Sequence, residues 1–204
     1  MKIVVVGATG TIGKAVVNLF EQRGHEVMAL SRRTSPSVDM QNAEEIEAFY
    51  REAGEVDAIV TVAGDAAFAP LEQLTEEGIQ LSLTSKLMGQ INMVRKGLHN
   101  LRPGGVAVLT GGILAYTPAP QTAMIAMVNA GLEGFVRAAS LEMTAGRRIL
   151  IVHPPWVRET AEALGMDATP WPPAAKVAEA YLQAVEGTAN GTPVFVEGFS
   201  PASR

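Results

Sequence analysis

The chain has 204 residues, 48% of them apolar and 18% charged, with 16 Lys+Arg against 21 Asp+Glu and a net charge of −5. That size suits one domain with a real core, and the apolar content excludes a disordered chain. The absence of cysteine excludes disulfides, thiolate nucleophiles and Cys-bound zinc, three scattered histidines make no metal site, and the mild acidity argues against nucleic acid and anionic membranes as partners.

Taken in order, the chain alternates strand and helix signals. Residues 3–6 are a short β-branched run ending at Gly7, the pattern of a strand buried on both faces. Residues 11–23 read as a helix, with Ile12, Ala15, Val16, Leu19 and Phe20 at helical spacing and Gly24 as the stop. A strand over 26–30, a helix over 42–53 and a strand over 58–62 follow. A long helix is expected over 75–99, stopped by Pro103-Gly104-Gly105, then a strand over 106–110 and a helix over 122–144. A strand over 149–152 leads into an irregular Pro-rich loop at 154–173, a candidate lid over a site. A helix over 174–186 and a strand over 194–196 close the chain.

Such alternation predicts βαβ units around a mostly or wholly parallel sheet, in a single doubly wound α/β domain over residues 1–204. No apolar run reaches the length of a membrane span, and the start of the chain is too short and weakly charged for a signal peptide. A cytoplasmic protein without membrane partners is expected.

Gly7-Ala8-Thr9-Gly10-Thr11-Ile12-Gly13 lies between the first strand and the first helix. Glycines there permit positive φ and close packing, and free N–H groups at the helix start favour a pyrophosphate. A tight βα turn needing glycine for packing alone is the plainer alternative. NAD-binding units place a carboxylate about 20 residues after these glycines. Here that region holds Ser31-Arg32-Arg33, two guanidinium groups suited to a 2′-phosphate. NADP is expected as the cofactor.

The glycine turn, Ser31-Arg32-Arg33, Val38-Asp39-Met40, Val62-Ala63-Gly64, Gly104-Gly105 and Ala130-Gly131-Leu132-Glu133-Gly134-Phe135 recur in the order seen in short-chain dehydrogenases/reductases (SDRs), which the chain resembles from Met1 to about Val196. The resemblance implies a Rossmann-type fold and an oxidoreductase acting on a carbonyl or alcohol. It brings Asp39 and Met40 near the adenine and Ala63-Gly64 under its ribose. Five residues between Arg33 and Asp39 leave no room for the family's second helix. His153-Pro154-Pro155-Trp156-Val157 partly matches a segment whose backbone holds the nicotinamide carboxamide, so Pro154 and Val157 join the cofactor residues with Thr110 and Gly111. Pairing through the fourth and fifth helices into dimers or tetramers is implied too, and Met127, off the core stripe, suits that face.

The family's catalytic Tyr-x-x-x-Lys, Ser and Asn fall here on Ile125, Asn129, Gly112 and Lys86. Lysine and asparagine have changed places. Lys86, at the edge of the stripe Leu83, Leu87, Ile91, Val94, either directs its ammonium to the nicotinamide ribose from the opposite wall or snorkels to water, with Asn129 a partner or a surface residue. Tyr116 is the candidate proton donor, ahead of Thr110, Thr122 and His153, with a loop anchor as its plainer reading. An NADP-dependent oxidoreductase on a small-molecule substrate is the favoured reading. An NADP-binding protein without turnover, a redox sensor or regulatory partner, stands beside it.

Overall fold

The computed structural model describes residues 1–201, so the last three residues of the expected domain lie outside the described residues. Six strands form one sheet: β1 (Lys2–Val6), β2 (Glu26–Leu30), β3 (Val56–Thr61), β4 (Leu101–Thr110), β5 (Arg148–His153) and β6 (Pro193–Phe195). Their order is β2-β1-β3-β4-β5-β6, and every pairing is parallel. The expected α/β domain with a wholly parallel sheet is what forms.

Alternation along each strand sends neighbouring side chains to opposite faces. Ile3, Val5, Val60, Val108 and Val152 meet Val16 and Phe20 of α1 (Thr11–Gln22) and Val177 and Tyr181 of α7 (Ala174–Glu186). Val4, Val6 and Ile59 face α2 (Ala43–Ala53), through Ile46, Phe49 and Tyr50. Ala107, Leu109 and Ile151 face Leu132 and Val136 of α5 (Ala123–Ala139). Strands buried on both sides carry unbroken apolar runs for this reason. Leu30 leads to Ala43 with no intervening helix; only a bridge from Ser31 to Ser37 touches the sheet there.

Four stretches differ from the sequence-based expectation. The helix expected over 75–99 is three pieces: α3 (Glu76–Leu81), a π-helical turn Ser82–Met88, and α4 (Gly89–Gly97). Ser82 Oγ donates to Gly78 O at 2.7 Å and Thr84 Oγ1 to Gln80 O at 2.8 Å, so hydroxyls compete for the helix's own carbonyls. Ser82 Oγ and Ser85 Oγ also accept from Ala67 N–H and Asp65 N–H, which ties the widened turn to the segment after β3. β4 begins at Leu101 and runs through Pro103-Gly104-Gly105, with a register shift between Val56 and Ala58 absorbing the extra residues. α5 stops at Ala139, where Ser140 Oγ turns back to Arg137 O and Leu141 points to solvent. Within 154–173 lies a short helix, α6 (Arg158–Ala163), whose Glu159 carboxylate accepts from Ala174 N–H and so caps α7.

Candidate functional site

The order in which strands are added reverses between β1 and β3, toward β2 on one side and β4 on the other, so the crevice beyond their C-terminal ends lies at a topological switch point. A cleft of about 590 Å³ opens there, lined by Val6, Ser31, Val62 and Thr110 from the strand ends.

At its floor is the glycine turn. Gly7 has φ +89°, and a Cβ on it would stand 2.6 Å from Val62 O, so only glycine fits. Gly13 packs α1 onto Gly7 O and does not reach the cleft. Gly7, Thr9, Gly10, Thr11 and Ile12 all line the opening. Gly10 stands at the N-cap with no side-chain cap, and the first turn of α1 carries no carboxylate. Unpaired N–H groups and the positive helix end thus face the cleft, a fit for phosphate oxygens.

The opposite rim is basic. Ser31, Arg32 and Arg33 line it, with Arg33 N–H donating to Ser31 Oγ at 2.9 Å and Ser31 N–H to Thr34 Oγ1 at 2.7 Å. Arg32 approaches Asp65 at 3.8 Å, both side chains largely exposed. Asp39, Met40, Ala63 and Gly64 line the wall between, Asp39 turning its carboxylate on Gln41 N–H.

Lys86 enters from the π-helical turn. It is buried, and its Nζ donates to Gly111 O at 3.2 Å. Burial pulls its pKa down to about 8, while the Asp65 carboxylate pulls the other way. The solvent-exposed alternative for Lys86 is not what forms: the amine lies inside, on the cleft wall with Thr110 and Gly111. Asn129 is buried as well, its amide nitrogen against Gly112 and its Oδ1 without a partner, but it does not line the cleft.

Tyr116 is not brought to this cleft. Its hydroxyl donates to Glu133, and its ring packs edge-on to His153 and Phe195. Burial, then the Glu133 contact, pushes the phenol's pKa up. Pro154 lines the cleft; Val157 is core, turned toward the α1/α7 face.

Some residues at the site had no motif to announce them. Gln90 of α4 is fully buried: its Oε1 accepts from Thr61 Oγ1 and Thr110 N–H, and its Nε2 donates to Thr110 O. Thr110 Oγ1 donates to Thr61 O and meets Tyr181 OH at 2.7 Å, so the ends of β3 and β4 are held by one polar network. A polar residue seven places after Leu83, on the buried row, was the available signal. Phe68 is another residue without a motif: its ring lies 5.7 Å from that of Trp156, and the two flank the mouth with Thr160. Trp156 and Thr160 lie within the Pro-rich segment that the sequence already marked.

A sequence profile described as enoyl-(acyl carrier protein) reductase, of the short-chain dehydrogenase type, matches residues 30–170. The chain belongs to the SDR family. Among solved structures similar to this SDR chain, a protein from Listeria innocua is 38% identical with a TM-score of 0.91, over 96% of this chain and 99% of that one. A small-chain dehydrogenase crystallised with NADPH shares the fold, with a TM-score of 0.87 at 22% identity, over 97% of each chain. Carbonyl reductase family member 4 of Danio rerio is 28% identical, over 72% of this chain and 71% of its own. A 3-ketodihydrosphingosine reductase of Bacteroides thetaiotaomicron is 24% identical over 69% of this chain, which spans only 58% of that protein's length.

Proposed function

We propose that this SDR is an NADP(H)-dependent reductase of carbonyl compounds, or the corresponding alcohol dehydrogenase, with an atypical active site in which Lys86 holds the proton. The observation that carries the reading is the convergence of an uncapped helix start, two arginines and a buried lysine on one cleft. The glycine turn and α1 N-terminus would hold the pyrophosphate, and Arg32 and Arg33 the 2′-phosphate. A nicotinamide held there would supply the hydride. With a pKa of about 8, Lys86 is mostly an ammonium at neutral pH, near enough to its titration to give a proton readily. Its charge favours negative charge developing on the substrate oxygen; it then passes one proton to that oxygen and recovers one from water. Asn129, behind Gly112, does not line the cleft and would bear on the site through the Gly112 backbone. Phe68, Trp156, Ile125 and Pro154 make the substrate end apolar. The NADPH-bound neighbour and the carbonyl reductase relative support the same reading from outside this chain. A cytoplasmic homodimer or homotetramer accompanies it, with exposed Met127 of α5 at the joint.

A second reading, cofactor binding without turnover, draws on one observation: among the described residues no tyrosine lines the cleft. Titration with NADPH and NADH, followed by a ketone and alcohol panel read by nicotinamide absorbance, separates the two. NADPH binding with an absorbance change supports the reductase, and binding with no change across the panel supports the second reading. No binding overturns both.

A further inference from the structure

Gly111 O and Gly112 N–H belong to the same peptide group, and that group is held from two sides. Lys86 Nζ donates to its oxygen at 3.2 Å, and its N–H donates to His153 Nδ1 at 3.0 Å. Beyond the imidazole, His153 Nε2 stands 3.2 Å from Glu133 Oε2, off the line of the ring N–H, and the same oxygen accepts from Tyr116 OH. His153 has no solvent exposure, and Phe195 stacks on its ring at 5.6 Å. Gly112 O also lies 3.0 Å from Nδ1, so a proton on Nδ1 would have an acceptor there, whereas a proton on Nε2 faces the Glu133 carboxylate at 3.2 Å without an aligned bond. The carboxylate beside Nε2 favours the proton there, which leaves Nδ1 as acceptor for Gly112 N–H. Burial holds the imidazole neutral by lowering its pKa.

In that tautomer two aligned hydrogen bonds run from the Lys86 cation through peptide to imidazole, and the ring's Nε2–H end faces the Glu133 anion by proximity of charge rather than by an aligned bond. Each link polarises the next. The peptide also has no freedom to turn. A Cβ on residue 111 would stand 2.6 Å from the His153 ring, and one on residue 112 would stand 2.7 Å from Asn129 Nδ2.

We propose that His153 and Glu133, neither of which touches the cleft, are positioning residues that orient Lys86 and hold its positive charge through the Gly111–Gly112 peptide. The inference rests on the part given to Lys86 in the proposed function. It also explains why a fully buried histidine and a partly buried glutamate stand together behind the cleft. Among the described residues the other charges facing this line are Asp65, on the loop after β3, which acts on Lys86, and Arg137, 4.0 Å from Glu133 Oε1, which acts at the far end.

The test is a pH titration of the lysine side chains by NMR with ¹³Cε-labelled lysine, which needs no turnover and no reagent access. The chain has five lysines, and Lys86 is the one expected to titrate near pH 8. Glu133→Gln should lower that midpoint by about half a unit, a threefold change in the protonation equilibrium. His153→Phe should lower it at least as far, and the double variant no further than the larger single one, because both cut the same line. Asp65→Asn, acting directly on the ammonium, should lower the midpoint additively with Glu133→Gln. His153→Asn keeps an acceptor near the Nδ1 position, severs Glu133, and should match Glu133→Gln; it stands in if His153→Phe fails to fold. A Lys86 midpoint unchanged in Glu133→Gln, or strictly additive shifts in the double variant, overturns the proposal. NADPH is added to the wild-type protein separately: a Lys86 signal that NADPH leaves unmoved speaks against the proposed function, whatever the variants show.

Discussion

A Cβ built on Gly64 would stand 2.7 Å from the Cα of Lys86, so the segment leaving β3 and the π-helical turn touch backbone to backbone. Gly64 also has φ +127°, a region other residues avoid. Gly64→Ala should therefore cost about 2–4 kcal/mol in chemical denaturation and weaken NADPH binding by moving Lys86. Gly24→Ala, at φ +80° with open space around it, should cost only about 1 kcal/mol. Similar losses for the two would mean that the contact with Lys86 is slack.

Cofactor choice should follow the basic rim. NADPH is expected to bind at least about tenfold more tightly than NADH, and Arg32→Ala or Arg33→Ala should remove most of that margin. Asp65 approaches the Arg32 guanidinium at 3.8 Å and competes with a phosphate for it. Asp65→Asn should accordingly tighten NADPH binding by about threefold at low salt, with the gain shrinking as salt rises. Equal affinities for the two cofactors in the wild-type protein would remove the argument.

Lys86 should trade stability for function. Its folded pKa of about 8 lies below the roughly 10.4 of an unfolded lysine, so the unfolded chain binds more protons between those values. Stability from this group consequently rises with pH across that window, and below it the buried ammonium destabilises the fold. Lys86→Met should be about 1–3 kcal/mol more stable than wild type near pH 7, the gain fading toward about pH 10. NADPH binding and any turnover should fall at the same time. Denaturation curves at the two pH values decide it; a pH-independent difference would contradict the buried charge.

The mouth of the cleft should select for apolar substrates. With Phe68 and Trp156 rings 5.7 Å apart, Phe68→Ala and Trp156→Ala should raise KM for bulky apolar ketones about tenfold and leave small polar ketones nearly unchanged. In a Trp171→Phe background Trp156 is the remaining tryptophan, and its fluorescence should respond to an apolar ketone even without turnover. Uniform effects across the series would argue that the rings only pack the mouth.

Met127 is 47% exposed on α5 and Met88 43% exposed where the π-helical turn meets α4. If these form the joint between subunits, Met127→Glu should shift the mass in light scattering toward the monomer while leaving the melting curve of the subunit little changed. A wild-type monomer at every concentration would remove the proposed assembly.

Much of this molecule is written locally. Residues 26–30 and 174–186 fold within the limits their patterns imply, because a short apolar run between a helix stop and a polar loop suffices for an edge strand, and an amphipathic helix leaves a periodic signature. The turn at Gly7 was legible for a similar reason: a positive φ and a close approach to Val62 can be met only by glycine.

Other features depended on partners distant in sequence. Helical phase places Lys86 at the edge of a stripe but cannot say which wall its amine reaches. That was decided when Ser82 and Ser85 met the N–H groups of Ala67 and Asp65, widened the turn, and let Gly64 admit the Lys86 backbone. Tyr116, four residues beyond Gly112, was within reach of the cleft by chain length; Glu133 and His153, brought beside it by α5 and β5, claimed its hydroxyl and ring instead. Periodicity and glycine encode what a segment's own backbone requires, whereas the destination of a buried polar side chain is set by whichever donor or acceptor the assembled fold leaves unpaired near it.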